Sequence, residues 1–105
     1  MAQFDVYRNT NPGSRDAVPY FLVLQHDVIE TRALRVVVPF VPLARAELPM
    51  HRLNPVFEIE GQKVILSMLE IAGVPPSLIG QDVVMSLDAH RDKIIAAVDF
   101  LVTGI

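Results

Sequence analysis

Residues 86–105 constrain the chain more than any other stretch, because they carry its one clear helical pattern and that pattern is unusually apolar. Ser86 is a good N-cap, and Asp88 and Asp92 sit where the positive end of a helix dipole favours carboxylates. Gly104 can take the left-handed conformation that closes a helix. Between these signals Arg91, Ile94, Ile95, Val98, Leu101, Val102 and Ile105 follow the three-and-four spacing of a buried stripe. Ala96, Ala97 and Phe100 widen that stripe past half the circumference, more than one small domain can cover. The polar remainder is a narrow line of Asp88, Asp92, Asp99 and Thr103. The pattern predicts a helix over 86–105 that packs inward, packs against a second copy of itself, and presents its C-terminal tip to something else.

A length of 105 residues fits one domain, spanning 1–105, that buries roughly two thirds of its unfolded surface. Apolar residues make up 51% of the sequence and the mean hydropathy is +0.39, high for so small a soluble domain. The longest apolar run, residues 36–43, contains Pro39 and Pro42 and falls far short of the roughly 20 residues a membrane span needs. The excess is therefore assigned to an oligomer interface, and no membrane partner is expected. Residues 1–5 carry neither the basic segment nor the apolar stretch of a signal peptide. There is no Cys, hence no disulfide framework and no thiolate chemistry, which suits a cytoplasmic location. A formal charge of −3 without a Lys/Arg cluster argues against direct binding of nucleic acid through phosphates.

From its start, the chain alternates apolar and polar over Gln3-Phe4-Asp5-Val6-Tyr7, as a half-buried strand does. Residues 8–18 collect Asn9, Asn11, Pro12, Gly13 and Ser14 and predict an exposed, mobile loop carrying Arg8 and Arg15. Residues 20–25 read as a strand apolar on both faces, central in a sheet or at an interface. Val28 and Ile29 come next, between acids in what reads as a turn, where exposed aliphatics suggest a partner and a strand end tucked on the core is the equal alternative. Residues 34–40 form a third strand, stopped by the prolines. Residues 43–54, with Arg45 and Arg52, have no clear pattern. Residues 55–60 and 63–69 form a hairpin about Gly61-Gln62. Residues 74–80 read as extended or turn because two prolines remove donors. Five short strands and one C-terminal helix predict a β-rich α+β fold: a small, strongly bent antiparallel β-barrel with a C-terminal α-helix.

Little in the chain points to catalysis. His26, His51 and His90 are too far apart for a metal-binding helix or knuckle. Isolated Gly13 and Gly80 make no phosphate-cradling loop, so neither a metal nor a cofactor is expected. Ser67 and Ser77 lack the Gly-rich elbow of a serine nucleophile. His26 beside Asp27 fits a general base or, more commonly, a capped turn.

The ordered series Gln3-Phe4-Asp5-Val6-Tyr7, Val23-Leu24-Gln25-His26-Asp27-Val28-Ile29-Glu30-Thr31, Arg35-Val36-Val37-Val38-Pro39-Phe40, Val74-Pro75-Pro76-Ser77-Leu78-Ile79-Gly80 and a closing Gly104-Ile105 resembles the CcdB family of toxins. The resemblance covers essentially the whole chain. It implies a homodimer with a small CcdB/MazF-like, SH3-like barrel and a C-terminal helix. It also implies the toxin of a plasmid or chromosomal type II toxin-antitoxin module, which poisons DNA gyrase without making or breaking bonds itself. In the family the dimer inserts between the gyrase A subunits and traps the enzyme on cleaved DNA. The contact patch carries over to Val28, Ile29, Asp99, Thr103, Gly104 and Ile105. The best-known family pattern ends Trp-Gly-Ile, its Trp stacking on a gyrase Arg. Thr103 stands in that place here, without the cation–π stack worth about 1–2 kcal/mol when desolvated.

A second partner implied by the resemblance is a CcdA-like antitoxin whose disordered tail folds on the dimer, with Arg8, Arg15, Arg45 and Arg52 as candidates to meet an acidic tail. Each of these arginines is otherwise an ordinary solvated charge. Two alternatives come from other classes. One is a MazF/Kid-like endoribonuclease, for which Thr31, Arg32 and Arg35 are the candidate residues in a chain with little basic surface. The other is a non-toxic structural dimer.

Overall fold

In the computed structural model, which describes residues 1–47 and 51–105, one curled antiparallel sheet forms a half-barrel that carries a C-terminal helix. Its strands are β1 (Asp5–Asn9), β2 (Tyr20–Val23), β3 (Arg35–Pro42), β4 (Val56–Ile59), β5 (Gln62–Leu66), β6 (Ala72–Val74) and β7 (Ile79–Ser86), and the helix is α1 (Arg91–Thr103). The strand order is β4-β5-β3-β2-β1-β7, with β6 also paired to β3. The uninterrupted apolar run of residues 20–23 falls in a strand paired on both sides, by β1 and β3, and buried on both faces.

Alternation along the strands divides the interior in two. Val6, Tyr20, Leu22, Val38, Phe40, Val64 and Leu66 face Ile94 and Ala97 of α1 across the main core. Tyr7, Phe21, Val23, Val37 and Ile79 build a smaller cluster on the opposite face. The Phe40 and Phe57 rings meet edge to face at 6.1 Å inside the main core.

Pro39 explains why β3 changes partners along its length. Residues 35–37 pair with β6 and residues 40–42 with β5, so the donor that proline lacks falls between the two ladders. The Pro39 carbonyl on that side is still used, accepting the Ser67 N–H at 2.9 Å.

Two strands are absent from the sequence reading. β6 is only three residues long, and β7 is an edge strand with exposed Gln81, Asp82 and Val83 and two register shifts against β1, so neither alternates cleanly. The helix also starts later than Ser86. Ser86 Oγ accepts the Asp88 N–H at 3.2 Å to begin a 3-10 turn over Asp88–His90, and α1 continues from Arg91 without a side-chain cap. In the β4–β5 hairpin the two-residue loop is Glu60-Gly61, one position before the expected pair, and both residues have positive φ as a type I′ turn requires. Of residues 43–54, Leu43–Arg45 make a 3-10 turn, Leu53 and Asn54 are buried, and 48–50 lie outside the described residues. No helix among the described residues is long and apolar enough to cross a membrane.

Candidate functional site

The last turn of α1 is built to display Gly104 and Ile105 beyond it. Ile94 and Ala97 are buried and Val98, Phe100 and Leu101 pack against the core from the same side, which leaves Val102 75% exposed. Gly104 takes φ +74 and donates its N–H to the Phe100 carbonyl at 2.9 Å, reversing the chain. A Cβ at Gly104 would touch nothing, so glycine is required there by the backbone angle and not by space.

Thr103 is engaged within this cap. Its hydroxyl donates to the Asp99 carbonyl at 2.6 Å and accepts the Ile105 N–H at 3.3 Å. Ile105 ends 84% exposed, and Asp99, Thr103 and Gly104 are exposed beside it. The Asp99 carboxylate makes no ion pair among the described residues. Aliphatic and polar groups thus share one small, rigidly terminated knob.

The aliphatic turn after β2 is organised by buried Gln25. Its side-chain amide donates to the Ile29 carbonyl at 2.7 Å and to Thr31 Oγ1 at 3.2 Å, while its Oε1 accepts the Val36 N–H at 3.1 Å. His26 Nδ1 accepts the Val28 N–H at 3.0 Å, the capped-turn reading of this residue, and Asp27 accepts the Gln3 N–H at 2.6 Å. These bonds hold the turn with Val28 77% and Ile29 52% exposed, although burying them would be favourable by roughly 1.5–3 kcal/mol per side chain. Among the described residues no hydrogen bond links this turn to the helix tip. What they share is the main core, on which Leu24 packs from one element and Val98, Phe100 and Leu101 from the other.

A match to the family model described as CcdB protein spans residues 3–104. The chain belongs to the CcdB family. No curated protein matches it. Membership supports reading this CcdB-family chain as the toxin of a toxin-antitoxin module.

The four arginines singled out for an antitoxin occupy different settings. Arg8 lies in β1, not in the loop after it, and its guanidinium donates to both carboxylate oxygens of Glu60 at 2.6 Å each. The Tyr20 hydroxyl donates to the same carboxylate at 2.6 Å. Arg8 with Tyr20 holds the Glu60 carboxyl at about 2, below its ordinary 4.5. Arg15 lines a cavity of about 270 Å³ with Arg8, Asn9, Asp16, Pro19 and Tyr20, and makes no ion pair among the described residues.

The loop that carries Arg15 is tied by buried Asn9, whose amide donates to Ser14 Oγ at 3.0 Å and to the Val18 carbonyl at 2.9 Å. This is more order than its composition predicts. Arg45 is exposed at the end of a 3-10 turn. Arg52 lies over the Phe100 ring, at the helix tip. Of the ribonuclease candidates, Thr31 is already committed, its hydroxyl accepting from Gln25 and donating to the Leu34 carbonyl.

Proposed function

We propose that this chain poisons DNA gyrase by binding its A subunit and trapping the DNA-cleaved complex, and that a cognate antitoxin neutralises it. The observation that carries the reading is the exposed knob of Asp99, Thr103, Gly104 and Ile105 on a rigid helix, in a CcdB-family chain. The exposed Val28-Ile29 turn adds a second apolar contact. Ile105 supplies apolar burial, Gly104 close approach of backbone, and Asp99 an acceptor for a basic side chain. No step requires the toxin to make or break a bond. Thr103 contributes its methyl group and shapes the knob in place of the aromatic stack of the best-known family pattern.

The working form is a homodimer that offers a two-fold patch to a two-fold target. Apolar surface supports this. Val36 alternates onto the face of β3 that Val38 and Phe40 turn toward α1, and Leu34, Leu69, Ile71 and Val102 are exposed as well. Arg15 and Arg45 are exposed to meet an acidic antitoxin tail, whereas at Arg8 such a tail competes with Glu60 and at Arg52 with the Phe100 ring and the Ile105 main-chain oxygen. The test is gyrase-mediated DNA cleavage with purified protein, with a form lacking Gly104 and Ile105, and with RNA as a separate substrate. The intact chain is expected to accumulate cleaved DNA and the shortened form to lose that effect. RNA cut by the protein alone, or no trapped cleavage, rejects the proposal.

A further inference from the structure

Arg52 belongs to no strand or helix, yet it touches the helix tip twice. Its guanidinium carbon lies 4.4 Å from the centroid of the Phe100 ring, and its Nη2 donates to the main-chain oxygen of Ile105. The two contacts bracket the cap, since Phe100 is also the residue whose carbonyl receives the Gly104 N–H. The other hydrogen bonds at the tip arise within the helix, from Thr103 to Asp99, from Ile105 to Thr103 and from Gly104 to Phe100. Arg52 alone, among the described residues, ties Ile105 by hydrogen bond to a distant part of the chain.

Its mounting is firm. Leu53 and Asn54 lead from it into the core, and Asn54 Oδ1 accepts the Met68 N–H at 3.0 Å. A cation beside the last carbonyls of a helix is also favoured by the helix dipole. Arg52 also lines a cavity of about 290 Å³ with His51, Lys93 and Ala96, and the contacts of its guanidinium to the chain are the Phe100 ring and the Ile105 main-chain oxygen.

We infer that Arg52 is a positioning residue: it clamps Ile105 against the end of α1 so that the exposed side chain is presented in one orientation. An unclamped residue past a helix end frays, and ordering it on contact subtracts from affinity. The inference rests on the proposal that this tip meets gyrase. Lys at the same position keeps the charge but loses the planar guanidinium that stacks on the ring.

The clamp is tested first without gyrase, by backbone amide order parameters and thermal midpoints of the wild type, Arg52→Ala and Arg52→Lys. The Ile105 amide is expected above about 0.6 in the wild type and below it in Arg52→Ala, with Arg52→Lys between and the Arg52→Ala midpoint lower by no more than about 8 °C, so that the fold is kept. Equal order at Ile105 in wild type and Arg52→Ala overturns the clamp. Binding to the gyrase A subunit is then expected to weaken about tenfold in Arg52→Ala. A looser tip with unchanged affinity overturns the positioning role. Should the intact chain trap no cleaved DNA, the functional proposal falls by itself, and the order parameters still decide whether Arg52 holds the tip.

Discussion

Among the described residues, Glu60 and Phe4 are the two non-glycine residues with positive φ, at +52° and +69°. Each is held there by bonds that a relaxed backbone would lose. Phe4 buries its ring completely, donates its N–H to the Val23 carbonyl at 2.7 Å and accepts the Leu87 N–H at 2.8 Å, joining β2 to the approach of the helix. Such conformations cost on the order of 1–3 kcal/mol and persist only where the surroundings over-determine them. Glu60 aims its carboxylate at Arg8 and Tyr20 across 52 and 40 residues of sequence, so a turn residue fastens the hairpin to β1 and β2. Because its carboxyl is depressed from 4.5 to about 2, this contribution is complete above pH 4.5 and is lost as pH falls toward 2. Glu60→Gln is accordingly expected to lower the thermal midpoint at neutral pH, with the gap from wild type closing across that acid range. Unfolding curves for both proteins at neutral and acid pH check the sign. Gly104→Ala meets no clash and is expected to cost about 1 kcal/mol through the left-handed backbone alone, read by denaturant unfolding.

At the scale of elements, α1 is fastened mainly by fully buried Ile94 and Ala97. Ile94→Ala is expected to destabilise the fold by about 2–5 kcal/mol in denaturant unfolding, whereas Ile95→Ala on the exposed side changes it by less than about 1 kcal/mol. Elements whose burial follows a regular pattern, alternating in β4 and continuous in β2, were legible in the sequence. The alternation of residues 55–60, the apolar run of 20–25 and the left-handed close at Gly104 each predict what is found. The missed strands failed for physical reasons. β7 is an edge strand whose exposed residues 81–83 break the period-2 pattern, and β6 is defined only by its pairing to β3. Ser86 has the chemistry of a cap but spends it on a 3-10 turn before the helix. Within the candidate site the polar line through Asp99 and Thr103 was readable, but Val102 and Ile105, placed by their spacing on the buried stripe, are 75% and 84% exposed, and of the two readings of Val28 and Ile29 the exposed one is found. The role of Gln25 and the reach of Arg52 to Ile105 depend on tertiary placement, and no local pattern announces them.

For the whole molecule, the exposed aliphatics Leu34, Val36, Leu69, Ile71 and Val102 predict association through the face that bears α1. Sedimentation equilibrium is expected to give a dimer for the wild type, and Val36→Glu is expected to shift it toward monomer without unfolding it. The outer strands suggest why association would be confined to that face. The sheet ends on β4 and β7, with a further open edge along three-residue β6, and open strand edges invite other chains to add on. β4 has only four residues, one of them Glu58, and runs straight into Glu60, while β7 is kinked by two register shifts and carries exposed Asp82 near its middle. Both borders are therefore poor templates for runaway fibre growth, and a concentrated solution of this greasy chain should stop at a closed pair.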